Sequence, residues 1–268
     1  QPETQLPFNR NGYITFGSFN NLAKVTPQVL DLWSDILKAV PQSRLMLKAK
    51  QLGEEEAQQR FIELFEARGI DRERLDLHAF SKSKASHLAL YGEIDIALDA
   101  FPFNGATTTC EALWMGVPVL TLRGDRHVAR VGASLLHRVG LDDFIAESQT
   151  DYLDQAVRLS QDLDHLRTLR AGMRTRIEQS PLCDGPKFAT NVEIALEQMW
   201  QKFQHSINDS KTTAHKIRDV YRLYSAGRAK DAEELALQFL KTGTESPELL
   251  NIVGVININN GFLDAAES

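Results

Sequence analysis

Residues 99–118 run DAFPFNGATTTCEALWMGVP, between two apolar segments of strand character at 94–98 (IDIAL) and 117–122 (VPVLTL). Asn104-Gly105 marks a turn, and Thr107-Thr108-Thr109 opens a helix. Three hydroxyls beside the free N–H groups of a helix start make a seat suited to a phosphate. Glu111 follows one turn on, where a carboxylate reaches a sugar hydroxyl. A plain N-capped helix is the other reading of such a run. The Asn-Gly turn and the position at a strand's carboxyl end favour the phosphate. The stretch points to the diphosphate-and-ribose end of a nucleotide-sugar site.

Upstream, residues 12–19 (GYITFGSF) read as a first strand entering the loop 19–24 (FNNLAK). Thr26 and Pro27 supply an N-cap and a proline at the first helical position. Val29, Leu30, Trp33, Ile36, Leu37 and Val40 then recur at helical spacing until Pro41 ends the helix. Residues 44–49 and 74–79 read as strands, and 54–68 and 84–91 as helices, the first closed by Gly69. A further helix is expected over 128–138. Strands alternating with helices in this way predict an α/β fold, a parallel sheet covered on both faces. Such sheets bind ligands beyond the carboxyl ends of their strands. The loops 19–24, 80–87 and 99–109 carry the unusual polar residues at that edge.

From residue 150 onward the pattern is helical, with candidates at 152–160, 163–177 and 187–203 and breakers at Pro181 and Asp184-Gly185-Pro186. Residues 204–213 (QHSINDSKTT) are polar and read as a linker. Beyond them Gly227 and Gly261, Ala232 and Ala266, and Glu233 and Glu267 each stand 34 residues apart, and Gly254 lies seven before Gly261. A period of 34 with small residues at helix crossings is that of a tetratricopeptide repeat; chance matches between two amphipathic helices are the alternative. The expected organisation is an α/β lobe over 1–203, a linker over 204–213 and a truncated helical repeat over 214–268. So short an array needs more repeats, a bound peptide or self-association to cover its face.

The 268 residues are 43% hydrophobic and 25% charged, with a formal net charge of −6. That composition suits a soluble globular chain with one domain and a smaller one. The negative balance argues against a general nucleic-acid or membrane-surface role, so an anionic ligand needs a local site. No apolar run approaches the roughly 20 residues of a membrane span. Residues 1–12 lack a signal-peptide core and an initiator Met, and the chain reads as part of something longer. Cys110 and Cys183 have neither zinc nor disulfide spacing and suit a reducing compartment, so a cytoplasmic location is expected. His78, His127, His137 and His165 have no metal-ligand spacing, nor do Asp95 and Asp99, and no metal or cofactor is expected. There is no G-x-G-x-x-G after the first strand, which counts against a nicotinamide dehydrogenase, and no G-x-S-x-G elbow. Lys24, in the first loop, is placed to supply the point charge that threonine hydroxyls lack. Lys84 and His87 lie one turn apart on a short helix. A solvated lysine and a structural histidine are the plain alternatives.

FGSFNNLAKVTP, then HLALYGEIDIALDAFPFNGATTTCEALWMGVPVLTL, then RVGASLL together resemble the catalytic region of protein O-linked N-acetylglucosamine transferases. That family includes plant SPINDLY-type proteins and bacterial relatives. The resemblance, over residues 12–203, implies one Rossmann-like lobe of a two-lobed GT-B glycosyltransferase, the donor-binding one; tetratricopeptide arrays also occur in the family. It implies a UDP-sugar donor, UDP-GlcNAc first, and inverting, metal-independent transfer to Ser/Thr of a protein acceptor. Lys24 is then the catalytic residue at the departing diphosphate. Asn21 lies near phosphate and sugar, and Lys84 and His87 along uridine and diphosphate. Thr107 and Thr108 bind phosphate. Glu111 binds the ribose hydroxyls in place of the Asp of animal relatives, and Ala106 stands where those relatives place a His. The family's first lobe supplies histidines near the acceptor. That lobe is expected to be missing here, leaving a chain that binds donor without turning it over. The other readings are a degenerate nucleotide-binding scaffold with a protein-binding repeat, and a bacterial N-glycosyltransferase lobe using UDP-glucose.

Overall fold

A computed structural model describes residues 5–81, 83–244 and 246–259. Its strands are β1 Thr15–Ser18, β2 Arg44–Lys48, β3 Leu75–His78, β4 Ile96–Leu98, β5 Val119–Leu122 and β6 Ile145–Ala146. They form one parallel sheet in the order β3-β2-β1-β4-β5-β6. The α/β class read from the sequence is therefore the class observed. The sequence pattern does not reveal β6, because two residues are too few to carry a period.

The order explains where a ligand can sit. The chain builds outward from β1 through β2 and β3, then returns to the other side of β1 with β4. The loops leaving β1 and β4 diverge and open a crevice at the carboxyl edge, the usual binding place in such sheets.

Among the described residues, eight α-helices belong to this lobe: α1 Pro7–Asn11, α2 Pro27–Ala39, α3 Glu55–Glu66, α4 Lys84–Ala89, α5 Thr107–Trp114, α6 Val131–Arg138, α7 Gln149–Gln161 and α8 Leu163–Glu178. Because the central strands are covered on both faces, they are buried at every residue instead of alternating. All four residues of β1 are buried, with Phe16 beside Leu45 on one neighbour and Ile96 on the other. α2 starts as its sequence dictates: the Thr26 hydroxyl accepts from the Val29 N–H and Pro27 occupies the first turn. Its Val29, Leu30, Trp33, Ile36 and Leu37 face inward and join the core. Arg170 of α8 is buried, with its guanidinium donating to the carbonyls of Ile94 (2.7 Å) and Tyr91 (3.3 Å).

The chain divides into two compact units, residues 1–188 and 189–268, whereas the sequence pattern places the lobe's end at 203. α9, Gly185–Ser225, runs unbroken through the residues expected as a linker. No Gly or Pro interrupts 187–225, so nothing breaks its backbone ladder. Polarity there reports exposure, not a loop. In the second unit α10 (Ala229–Lys241) and α11 (Pro247–Asn259) follow. Val220, Ala232, Ala236, Leu249, Ile252 and Ile256 make its own small core. Ala232 is fully buried in it. Gly261, Ala266 and Glu267, one partner of each 34-residue match, lie outside the described residues. No helix among the described residues is long and apolar enough to cross a membrane.

Candidate functional site

The floor of the crevice is a buried carboxylate. Asp99, the first residue after β4, is 1% exposed. Its Oδ1 accepts from the backbone N–H groups of Ala100 (2.9 Å) and Gly105 (2.6 Å), and from Asn20 Nδ2 at 3.4 Å across the crevice. Its Oδ2 accepts from the Thr121 hydroxyl on β5 at 2.8 Å. Burial pushes its pKa up to about 6 against the pull of these hydrogen bonds and of Lys24. Asn104 pins the other end of the loop. It donates to the Ala100 carbonyl at 3.0 Å, and its Oδ1 accepts from Gly132 N–H at 3.3 Å. The loop leading into α5 is thereby held at both ends.

That helix start has no side-chain cap, since the residue before it is Ala106. Its first N–H groups are left for another acceptor, the arrangement an anion exploits. The three threonines do not act alike. Thr107 is exposed. Thr108 donates its hydroxyl to Asn20 Oδ1 at 3.0 Å and keeps only acceptor capacity. Thr109 is buried and donates to the Gly105 carbonyl at 3.1 Å. The sequence suggests three hydroxyls for a phosphate; the structure leaves the Thr107 hydroxyl to donate to one, because those of Thr108 and Thr109 already donate within the fold.

Lys24 ends a 3₁₀ turn, Leu22–Lys24, in the loop after β1. Its ammonium crosses the crevice to the Asn104 carbonyl at 2.8 Å and lies 4.2 Å over the Phe103 ring. Burial lowers its pKa, and the Asp99 charge opposes the shift. The Asn21 Oδ1 accepts from Ala23 N–H (3.0 Å) in its own loop and from Gln51 Nε2 (3.1 Å) in the turn after β2. It shapes the turn that presents Lys24.

On the β2 side, Glu111 of α5 and His87 of α4 meet, Nε2 to Oε2 at 2.9 Å. Lys48, at the carboxyl end of β2, stands 2.6 Å from His87 Nδ1. Sequence reasoning missed Lys48, although a lysine closing the apolar strand RLMLK is a signal at the ligand edge. Lys84 does not join this chain of contacts. It lines, with Thr107, Glu111, Cys110, Trp114 and Cys183, a cleft of about 350 Å³. The two cysteines, unrelated by sequence spacing, share that cleft, and both thiols are free. His127 lines a different concavity, with Arg123 and Arg130. Asp95 is structural: it accepts from Phe8 N–H (3.1 Å) and Thr15 N–H (2.9 Å), tying α1 to β1. Among the described residues, no three His, Cys, Asp or Glu side chains are grouped to hold a metal ion.

The crevice thus brings Lys24, Thr107, Thr108, Glu111 and His87 to one sheet edge, and the pattern of glycosyl transferase family 41 matches residues 4–192. The chain belongs to glycosyl transferase family 41. It is 44% identical over 202 residues to the probable UDP-N-acetylglucosamine–peptide N-acetylglucosaminyltransferase SPINDLY of Solanum lycopersicum, covering 75% of this chain and 22% of the relative. It is 33% identical over 217 residues to the UDP-N-acetylglucosamine–peptide N-acetylglucosaminyltransferase of Caenorhabditis elegans, covering 78% of this chain and 18% of that one. A solved structure of a mutant Thermobaculum terrenum O-GlcNAc transferase matches with a TM-score of 0.68 and 38% identity, covering 75% of this chain and 39% of that one. The sheet is therefore the Rossmann-like lobe of a family 41, GT-B type fold. The chain spans about a fifth of the length of the curated relatives it matches.

Proposed function

We propose that this family 41 chain is the donor-binding lobe of an inverting protein O-glycosyltransferase, taking a UDP-sugar, UDP-N-acetylglucosamine first, for transfer to a Ser/Thr hydroxyl. The observation that carries the reading is the convergence of Lys24, the uncapped start of α5 and Glu111 at the β1/β4 crevice. The diphosphate takes the α5 N–H groups, the Thr107 hydroxyl and the charge of Lys24. The pentose hydroxyls take Glu111, with Lys84 and His87 alongside and Asn21 shaping the loop.

In the reaction an acceptor oxygen attacks the anomeric carbon while the bond from that carbon to the β-phosphate oxygen breaks. The electron pair leaves with UDP. In this reading Lys24 and the α5 amides stabilise that charge as it develops, as preorganised donors lower a barrier. The step needs no metal in this reading. The acceptor's proton goes to a base on the acceptor-side lobe, outside these residues, so the chain alone binds donor and does not turn it over. The acceptor is a peptide, as the relatives' names have it, and the helical unit is a further surface for peptide or for a second copy.

Calorimetry with UDP tests the donor site. Binding that is lost in Lys24→Ala and weakened in Thr107→Ala supports it. A folded sample that binds no UDP at millimolar concentration overturns it in favour of a scaffold. Tighter binding of UDP-glucose than of UDP-N-acetylglucosamine moves the donor to glucose.

A further inference from the structure

Lys48 is a charged residue in an unusual place. Lysines at strand ends normally extend the ammonium into water, yet Lys48 is 5% exposed. Its ammonium lies 5.6 Å from the Phe19 ring centre and 5.8 Å from that of Phe80. Burying an ammonium is costly unless it is paired. The ring faces and the Glu111 carboxylate beyond His87 offset part of that cost.

The contact with His87 has a defined sense. Burial lowers the Lys48 pKa and the Glu111 charge opposes the shift; as an ammonium, with three N–H donors and no acceptor, Lys48 donates to the nitrogen 2.6 Å away, Nδ1. A neutral imidazole accepting at Nδ1 carries its proton on Nε2, and Nε2 is the atom facing Glu111 Oε2 at 2.9 Å. Donation therefore runs in one direction, from Lys48 to His87 to Glu111. His87 is also packed edge-on against Tyr91, 5.8 Å between ring centres, which limits its rotation. The Tyr91 hydroxyl in turn donates to the Thr108 carbonyl at 3.3 Å. The facing charged and titratable groups are thus Lys48, Glu111 and Tyr91.

We propose that Lys48 is the positioning residue of the donor site: it fixes His87 as the neutral Nε2–H tautomer, and through it holds the Glu111 carboxylate at the cleft rim for the donor's pentose hydroxyls. The ligand half of this rests on the donor reading above. The tautomer half does not, since it is a property of the unliganded chain. In this proposal Lys48 acts through His87. Its effect is to remove the choice of orientation from Glu111 before the nucleotide arrives, which is how outer partners of a binding group act.

The test is nitrogen-15 NMR of the histidine side chains in the whole 268-residue chain, with UDP calorimetry on the same samples. The wild type should show His87 as neutral Nε2–H. Lys48→Met should mix its tautomers and lower UDP affinity about 10- to 100-fold, the usual scale for losing an outer partner. Lys48→Arg, which keeps a cationic donor, should restore the signature and most of the affinity. An Nδ1–H ring or an imidazolium in the wild type overturns the proposal without any variant, so a Lys48→Met that fails to fold does not rescue it. A folded Lys48→Met that binds UDP as the wild type does overturns it as well. A wild type with the expected His87 signature but no affinity for UDP overturns the donor reading and the ligand role of Lys48, and leaves the tautomer assignment standing.

Discussion

The Gly105 N–H donates to Asp99 Oδ1 at 2.6 Å, closing the loop between β4 and α5 on a buried carboxylate. Gly105 also has no room for a side chain. A Cβ there would lie 2.5 Å from the Thr108 hydroxyl and 2.9 Å from both Asn20 Oδ1 and the Thr109 hydroxyl. Gly105→Ala should push these partners apart, destabilise the lobe by about 1–3 kcal/mol as overpacking does, and weaken UDP binding. Urea unfolding with parallel calorimetry measures both. Unchanged values of the two would show that the loop has slack the geometry denies.

Asp99 and Asp95 both have pKa values pushed up to about 6 by burial. An unfolded chain returns them to about 4. Between these values the folded state holds more protons than the unfolded one, so stability falls as pH rises through the window from about 4 to about 6 and then levels off. At ~1.36 kcal/mol per pKa unit, each group contributes about 3 kcal/mol to the fall. Melting midpoints collected from pH 4 to 7 should decline across that window. Asp99→Asn should flatten the decline whatever its effect on absolute stability; an unaltered slope counts against the assignment.

Tyr152 of α7 donates its hydroxyl to the carbonyls of Asp99, just past β4, and Leu120, within β5, each at 3.1 Å. Burial raises its pKa, so it stays a neutral donor. Tyr152→Phe removes one hydroxyl and leaves its buried acceptors one donor short, a loss of about 1–3 kcal/mol. Chemical denaturation reads it directly. A loss below about 0.5 kcal/mol, the range of an ordinary surface change, would mean the contact is idle.

Cys110 sits in the same cleft as Thr107 and Glu111. Burial and the nearby Glu111 raise its pKa, so it should alkylate more slowly than an ordinary exposed thiol. Saturating UDP should slow it further, and the alkylated protein should lose UDP affinity. Mass spectrometry of the modified peptide with and without UDP gives the comparison. Equal rates in both would remove Cys110 from the neighbourhood of the donor.

Much of the lobe is legible along the chain. Its strands and helices answer to apolar period, to Thr26-Pro27 and to Gly69, all of which act on immediate neighbours. The donor motif is legible because turn, helix start and carboxylate lie within eight residues. The departures share a cause. Residues 204–213 have the polarity of a linker, yet polarity is not flexibility, and only a Gly or Pro would have broken the ladder of α9. Asn21 has the chemistry of a phosphate contact, and only the fold shows that its oxygen accepts from Ala23 and Gln51 and leaves the amide N–H donors for a ligand. Asp99 has no evident role in the sequence, because its partners at 20, 105 and 121 are distant or featureless there.

The sequence by itself determined the α/β class, the place of the site at a sheet edge, and the residue types that could serve a nucleotide diphosphate. These rest on short-range chemistry: dihedral preference, capping, and the period of burial. The tertiary structure decided which of those residues are available. The strand order sets β1 beside β4 and β2, and so brings Lys24 to Asn104, and Lys48 and His87 to Glu111, across separations no local pattern records. A hydroxyl or carboxylate offers only so many hydrogen bonds, and what it gives to a neighbour in the fold it cannot give to a ligand.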